Sequence, residues 1–130
     1  MSAKSSFLEA AVLNHFLRNT SATSPTSVFV ALFTTAPTES TGGTEVTGGS
    51  YARTAVTFGA PTGSPNACTQ SGDVTFPVAT ADWGTVLAYA IMDASTSGHV
   101  LYFAAVSPSK AILNGDQAKI SSGSIVVSEA

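Results

Sequence analysis

The sequence predicts a mainly β protein, an antiparallel β-sandwich or barrel-like domain with a C-terminal meander and one N-terminal α-helix. Several apolar runs of strand length are rich in β-branched and aromatic residues and are separated by Gly, Pro and Ser turns. Residues 83–106 hold two such runs around a Ser-Gly turn, which indicates a hairpin. One stretch near the start has helical spacing of apolar residues. We expect residues 1–27 to form a helical arm and connector, and residues 28–130 a single antiparallel β domain.

The composition favours a protein that works inside an assembly. Charged residues make up 10% of the 130 residues and the net charge is -3, whereas soluble domains average roughly 25% charged residues. Charges keep monomers apart and are depleted at interface cores. Without clustered cations, no nucleic-acid partner is expected. A single cysteine, Cys68, gives no intrachain disulfide framework and fits a reducing compartment, and neither a membrane span nor a signal peptide is expected.

Residues 6–18 are the helix candidate. Ser6 and Glu9 match a capping box, and Arg18 would suit the dipole of the last turn. The helix would either pack on the sheet, which is the preferred interpretation, or dock as an arm on a neighbouring subunit. Its apolar stripe supplies four candidate interface residues: Phe7, Leu8, Val12 and Phe16.

The middle of the chain predicts strands separated by loops. Residues 28–33 are continuously apolar, which is typical of a central strand. Residues 34–50 contain two Gly pairs and predict an exposed, flexible loop. The Gly pairs do not indicate a phosphate-binding loop, because no phosphate-binding pattern follows them. Residues 51–58 alternate in polarity and predict a strand with one wetter face. Residues 59–71 predict turns, and residues 73–77 a short strand that ends at a proline.

Arg53, in the middle of the alternating strand, is another candidate interface residue. It could pair with a carboxylate such as Asp82 or Asp93, which is the favoured interpretation. It could instead reach across a subunit boundary, since arginine is enriched in interfaces.

The hairpin at residues 83–106 carries apolar side chains on both of its faces, because side chains alternate along each strand. One face belongs to the core, and the other needs a helix, a second sheet or another subunit. Trp83 predicts a core anchor whose ring N–H finds an acceptor. Tyr89, Tyr102 and Phe103 complete the candidate interface residues.

The C-terminal third predicts a meander. Residues 107–110, with a proline, are expected to break the strand before them. Residues 111–120 then predict a second hairpin with an Asn-Gly turn. Residues 124–127 predict a last strand, so that four successive strands would pair in order.

No catalytic or metal-binding set is evident in the sequence. His15 and His99 lack metal-ligand spacing, and there is no nucleophile elbow. We therefore expect no enzyme activity and no cofactor. Four aspartates fall at predicted strand ends or turns, where Asp is favoured for backbone reasons: Asp73, Asp82, Asp93 and Asp116.

A series of short motifs resembles small tailed-bacteriophage virion proteins. Residues 28–33 read Val-Phe-Val-Ala-Leu-Phe, and residues 44–53 read Thr-Glu-Val-Thr-Gly-Gly-Ser-Tyr-Ala-Arg. The similarity continues through residues 74–77, 81–84, 91–94 and 115–120 and spans about residues 28–127. Members are often labelled tail-fibre proteins, and chains of this style also resemble head decoration ("cement") proteins, which commonly trimerise. The resemblance implies no catalytic residues.

The resemblance implies a bacteriophage virion structural protein, and the low charge and the two-sided apolar hairpin agree with a structural protein that carries interfaces. The first hypothesis is a capsid decoration protein that binds the major capsid protein or other virion proteins and so stabilises the assembled head. The alternative is a tail-associated fibre or receptor-binding module that presents residues 34–50. A wall-degrading hydrolase ranks third. We expect a homo-oligomer, taken to be a trimer, in a virion assembled in the host cytoplasm.

Overall fold

The predicted fold class is confirmed: a curled antiparallel sheet forms a half-barrel, with one helix near the N-terminus. The computed structural model describes residues 3–129, so residues 1 and 2 of the predicted arm and residue 130 of the predicted β domain lie outside it. The elements in order are β1 (Ala3–Lys4), α1 (Ser6–Leu17), β2 (Val28–Thr35), β3 (Thr44–Glu45), β4 (Thr54–Phe58), β5 (Ala67–Ser71), β6 (Val74–Thr75), β7 (Gly84–Met92), β8 (Val100–Ile112), β9 (Lys119–Ile120) and β10 (Val126–Ser128).

The main sheet has eight strands in the order β1-β8-β7-β2-β4-β5-β10, with β3 also paired to β2. Strands β6 and β9 form a separate pair. The two edges of the main sheet are joined by polar contacts. Lys4 Nζ lies 2.9 Å from Glu129 Oε1, and the Tyr102 hydroxyl donates to Glu129.

Strand β2 is central, as its continuous apolar run predicts. It pairs with β7 on one side and with β3 and β4 on the other. Four consecutive residues are buried because both faces of the strand are covered: Val30, Ala31, Leu32 and Phe33.

Strands β7 and β8 form the predicted hairpin, and both of its faces are apolar. The main core includes Val86 and Ile91, whereas Ala90 and Met92 belong to a smaller cluster around Phe33. The pairing of β7 with β8 shifts register between Val86 and Ala88. Such a shift interrupts the alternation of side chains, which explains why Val86 joins the face of Ile91 and not that of Ala90.

The smaller cluster is covered by the chain itself. Phe33 and Met92 line a shallow hollow together with Ser5, Phe7 and parts of the loop after β2. The Ser5 N–H donates to the Leu101 carbonyl at 3.0 Å, and the Ser6 N–H donates to the Glu39 carbonyl at 2.8 Å. The segment before α1 therefore bridges β8 and this loop, and it supplies the cover that the hairpin was expected to need.

The pairing of the C-terminal third differs from the prediction. Strand β8 does not break at residues 107–110; it continues to Ile112 and resumes pairing with β7 beyond a register shift. A bulge accommodates Pro108, which has no N–H to donate. The predicted second hairpin does not form, because β9 pairs with β6 and β10 pairs with β5. In the predicted meander each of these strands would pair with the strand just before it, but both pair with strands from earlier in the chain.

Three local predictions are also corrected. Strand β4 begins at Thr54, so Arg53 lies before the strand and not in its middle. The segment predicted as turns contains β5, which includes Cys68. The loop at residues 34–50 contains β3 and the buried Val46, so its second half is an ordered part of the domain.

Helix α1 is capped by Ser5 and not by Ser6. The Ser5 Oγ accepts from the Leu8 N–H at 3.2 Å and donates to the Val100 carbonyl. None of the twelve residues of α1 is buried, but the helix contacts β8 and Leu8 is half-buried. The preferred interpretation of a helix packed on the sheet therefore holds for one side of α1, and its other side is exposed. The connector at residues 19–27 is exposed throughout.

We expect Ser5→Ala to lower the free energy of unfolding by about 1–2 kcal/mol, the usual cost of removing a helix cap. The change removes the acceptor for the Leu8 N–H and leaves the Val100 carbonyl without its donor. Amide hydrogen exchange should quicken in the first turn of α1. Ser6→Ala is the matched control because Ser6 is exposed; an equal effect from it would contradict the assignment of Ser5 as the cap.

Candidate interaction surface

A polar cluster of three side chains locks the motif at residues 44–53 to the sheet. The Arg53 guanidinium donates to both carboxylate oxygens of Glu45, from Nε at 2.9 Å and from Nη2 at 2.8 Å. The Tyr51 hydroxyl donates to the same carboxylate at 2.7 Å and accepts from the Leu32 N–H at 3.0 Å. This bidentate geometry is the strong form of an arginine–carboxylate pair, and it ties β3 to the centre of the sheet.

Arg53 also holds the turn between β7 and β8. Its Nη1 donates to the carbonyls of Ala94, at 2.9 Å, and Ser97, at 2.7 Å. The favoured prediction of a pairing with a carboxylate in the same chain is confirmed, but the partner is Glu45 and not Asp82 or Asp93. Its true partner, Glu45, lies in the stretch that was expected to be a flexible loop.

The cluster shifts the pKa values of its members. Burial works to raise the pKa of Glu45, but the bonds from Arg53 and Tyr51 outweigh it and hold that pKa below its ordinary value. Burial, followed by the bond to Glu45, raises the pKa of Tyr51. The bond to Glu45 raises the pKa of Arg53. The cluster therefore contains a carboxylate, a neutral tyrosine and a guanidinium at neutral pH.

We expect the lowered pKa of Glu45 to make the protein less stable in acid. Near pH 4 the unfolded chain binds more protons at Glu45 than the folded chain does, so stability rises with pH. This contribution is present above the ordinary value of 4.5 and is lost as the pH falls through the folded pKa. Glu45→Gln should show a weaker dependence of unfolding free energy on pH between about pH 5 and pH 3. Glu39→Gln, at an exposed position, is the control; equal pH slopes for Glu45→Gln and wild type would contradict the prediction.

Trp83 is the predicted core anchor, and its ring N–H has an acceptor. The side chain is 5% exposed, and Nε1 donates to the Gly49 carbonyl at 2.8 Å. The Tyr51 ring meets the indole edge-on at 5.3 Å. Gly49 has a φ of +56°, and a Cβ there would lie 2.8 Å from Trp83 Nε1. The absence of a side chain at Gly49 therefore lets the Trp83 indole lie directly against the backbone.

The exposed large apolar side chains concentrate on α1. Among residues 3–129, five of the nine lie on this helix: Phe7, Val12, Leu13, Phe16 and Leu17. Phe16 and Leu17 are each 73% exposed. Eight of the twelve residues of α1 are apolar, and so apolar a helix is normally buried in a larger structure. Helix α1 is therefore the clearest surface for protein contacts in the described part of the chain.

The candidate interface residues do not form one patch. The Phe7 ring stacks on His99 with centroids 3.7 Å apart, and Leu8 is half-buried. Val12 and Phe16 are exposed on the same helix. The four remaining candidates lie in the β domain, where Arg53 is in the polar cluster, Tyr89 and Tyr102 pack against the main core, and Phe103 packs against the smaller cluster. Sequence reasoning missed Leu13 and Leu17, because they fall outside the stripe that was expected to meet the sheet.

The four aspartates at turns bind backbone N–H groups, as their positions predict. Each carboxylate accepts from an amide at 2.7–2.9 Å: Asp73 from Ser122, Asp82 from Asn114, Asp93 from His99 and Asp116 from Leu113. Within residues 3–129, no group of three or more His, Cys, Asp or Glu residues could hold a metal ion. No helix in this part of the chain is long and apolar enough to cross a membrane.

Comparison with known proteins gives one family. A family model described as "Podophage GP4 fiber I protein gp80" matches residues 3–128. No curated protein matches the chain. The match includes α1 as well as the motifs of the β domain, so it extends over both parts of the predicted organisation.

Proposed function

Since the chain belongs to the family described as Podophage GP4 fiber I protein gp80, a family of bacteriophage virion structural proteins, we propose that it is a structural subunit of a virion fibre. The family description carries this proposal, because it names a fibre protein and the match spans residues 3–128. In this role the chain binds neighbouring virion proteins and forms part of the fibre.

Two features of the structure support a role in protein–protein contact rather than in catalysis. The aspartates at turns are bonded to backbone amides, and the Glu45–Arg53 pair is internal to the fold. The three most exposed large apolar side chains, Leu13, Phe16 and Leu17, lie on α1. Protein–protein contact is the chemistry that an apolar helix offers, since burial of apolar surface drives association.

Capsid decoration is the second candidate, and the exposed α1 favours it as well. A small rigid domain with an apolar arm could lie across the boundary between two capsid subunits. It would then stabilise the shell by binding only the assembled form. We rank it second because the family description names a fibre protein.

Electron microscopy of intact particles labelled with an antibody to this chain distinguishes the two roles. We expect label confined to fibres at the tail. Label spread over the shell would refute the fibre role and support decoration. Particles that lack the chain provide the specificity control.

A turbidity assay with host cell walls tests the proposal that the chain is not an enzyme. Purified protein should leave the turbidity unchanged over hours, while a lysozyme control clears it. Clearing by the wild type that is abolished by Asp82→Asn or Asp93→Asn would overturn the proposal.

A further inference from the structure

A cavity of about 440 Å³ opens beside the core face of the β7–β8 hairpin. Its floor is apolar and includes Leu32, Phe76 and Ile112, each of which is at most 4% exposed. The segment that leads into β9 forms another wall, where Ala118 and Ile120 are half-buried. Small-molecule sites in proteins have volumes of about 300–1,000 Å³ and mostly apolar linings. This cavity therefore has the size and the surface of such a site.

Lys110 brings a positive charge to the cavity. It lies opposite Val86 in the register of β7 and β8, and directly opposite residues of an antiparallel pair project on the same face of the sheet. Val86 is a core residue, so the exposed Lys110 projects on the core side of the hairpin. Among residues 3–129, the Lys110 ammonium group forms no ion pair, in contrast to Lys4 and Lys119. It is therefore available to a bound anion.

Tyr89 adds a hydrogen-bond donor on the same side of the hairpin. Its side chain packs against the main core and lines the cavity. The hydroxyls of Tyr51 and Tyr102 donate to carboxylates, whereas burial alone raises the pKa of Tyr89, and its hydroxyl makes no hydrogen bond with the described residues. Since sheltered polar groups are normally hydrogen-bonded, this hydroxyl is a donor for a molecule inside the cavity.

The charges in the lining favour an anion over a cation. Lys110 and Lys119 are two of the five Lys and Arg residues of a chain whose net charge is -3. Asp116 is the one carboxylate among the lining residues, and it accepts from the Leu113 N–H at 2.9 Å. Lys119 Nζ lies 3.3 Å from Asp73 Oδ2. Lys110 is therefore the lining cation that can pair with a ligand.

We propose that this cavity binds a small molecule with an apolar body and a single carboxylate group. The apolar body lies against the floor, and the carboxylate accepts from the Lys110 ammonium group and the Tyr89 hydroxyl. A ligand with polar groups throughout would have to desolvate them against the apolar floor, which is costly. The proposal goes beyond the place of the chain in a fibre and does not rest on it.

Nuclear magnetic resonance titrations of the full chain with octanoate and octanol test the site and its charge. The two probes share an apolar body, and only octanoate carries a carboxylate. We expect octanoate to shift backbone amides most strongly within residues 106–120 and to bind more tightly than octanol. Shifts centred on the groove between α1 and the connector, equal affinities for the two probes, or no shift at millimolar octanoate would overturn the proposal.

Lys110→Met tests the assigned cation, because it removes the charge and keeps a long side chain. We expect octanoate to bind about fivefold more weakly, the upper end for an exposed ion pair, and octanol to bind as before. Tyr89→Phe should weaken octanoate binding about threefold through the loss of one hydrogen bond. Since Lys110 is exposed, Lys110→Met should keep the circular dichroism spectrum of the wild type.

Lys4→Met is the matched control, because Lys4 pairs with Glu129 outside the cavity. It should bind octanoate as the wild type does. Undiminished octanoate binding by Lys110→Met, or an equal loss in Lys4→Met, would refute the role of Lys110 and with it the proposed carboxylate site.

Discussion

Trp83→Ala is expected to lower the free energy of unfolding by about 4 kcal/mol, within the range measured for truncating large buried aromatic residues. The indole is almost fully buried and packs against Tyr51. Its loss leaves a cavity and removes a donor from the Gly49 carbonyl. Because domains have roughly 5–15 kcal/mol of stability in total, this single change should remove a large share of it.

Urea unfolding followed by circular dichroism measures the effect, since Trp83 is the only tryptophan and its fluorescence is lost in the variant. Trp83→Phe should cost less, about 1–2 kcal/mol. It keeps an aromatic ring, and the Gly49 carbonyl still accepts from the Thr80 N–H at 3.0 Å. Equal losses for the two variants would show that packing of the indole is not the main contribution.

Two adjacent glycines provide a matched test of the close contact between Gly49 and the Trp83 indole. Gly48 and Gly49 both have positive φ, so alanine at either position carries a similar backbone cost of about 1–2 kcal/mol. Only at Gly49 would the new Cβ meet Trp83 and the Ala81 carbonyl; nothing lies within 4 Å at Gly48. Gly49→Ala should therefore be the more destabilising, and the difference should shrink when Trp83→Ala is present.

Arg53→Ala is expected to cost about 3 kcal/mol, at the low end of the result of breaking a buried ion pair by removing one partner, because the Glu45 side chain is 22% exposed. The Arg53 side chain is 9% exposed. Its loss leaves the Glu45 carboxylate without its counter-ion and the Ala94 and Ser97 carbonyls without a donor. Arg53→Lys should recover little, because an ammonium group cannot reproduce the planar set of donors.

Hydrogen exchange distinguishes this mechanism from a general loss of stability. Amides in the turn at residues 93–99 should exchange faster in Arg53→Ala at concentrations of denaturant where the rest of the sheet stays protected. The exposed Lys4–Glu129 pair is the matched control, and Lys4→Ala should leave the unfolding midpoint almost unchanged. A comparable effect from both changes would contradict the special role of Arg53.

The parts of the fold that follow from local pattern could be predicted. A short, continuously apolar run is typical of a strand covered on both faces. Residues 28–33 were therefore correctly predicted to lie at the centre of the sheet. The sole tryptophan at the start of a hairpin was correctly identified as an anchor with a bonded ring N–H. Aspartates at turns were correctly interpreted as acceptors for backbone amides.

The parts that depend on distant pairing could not be predicted. The partner of Arg53 is eight residues earlier in the chain, but glycine pairs and polar residues made its segment resemble a mobile loop. A proline normally ends a strand, and β8 continues past Pro108 because of the bulge between the pairs Val86–Lys110 and Ala88–Ala105. The exposure of one side of α1 was missed because a stripe of apolar residues predicts a buried face without showing whether that face lies in the same molecule.

The connector at residues 19–27 offers a practical route to this protein in intact particles. Its residues are exposed without interruption and precede the central strand. Exposed segments of this kind tolerate insertions well, since little packing is disturbed. A short epitope or fluorophore-binding peptide inserted after Ser24 should leave the half-barrel folded, and it would allow the copies on single particles to be counted under a light microscope.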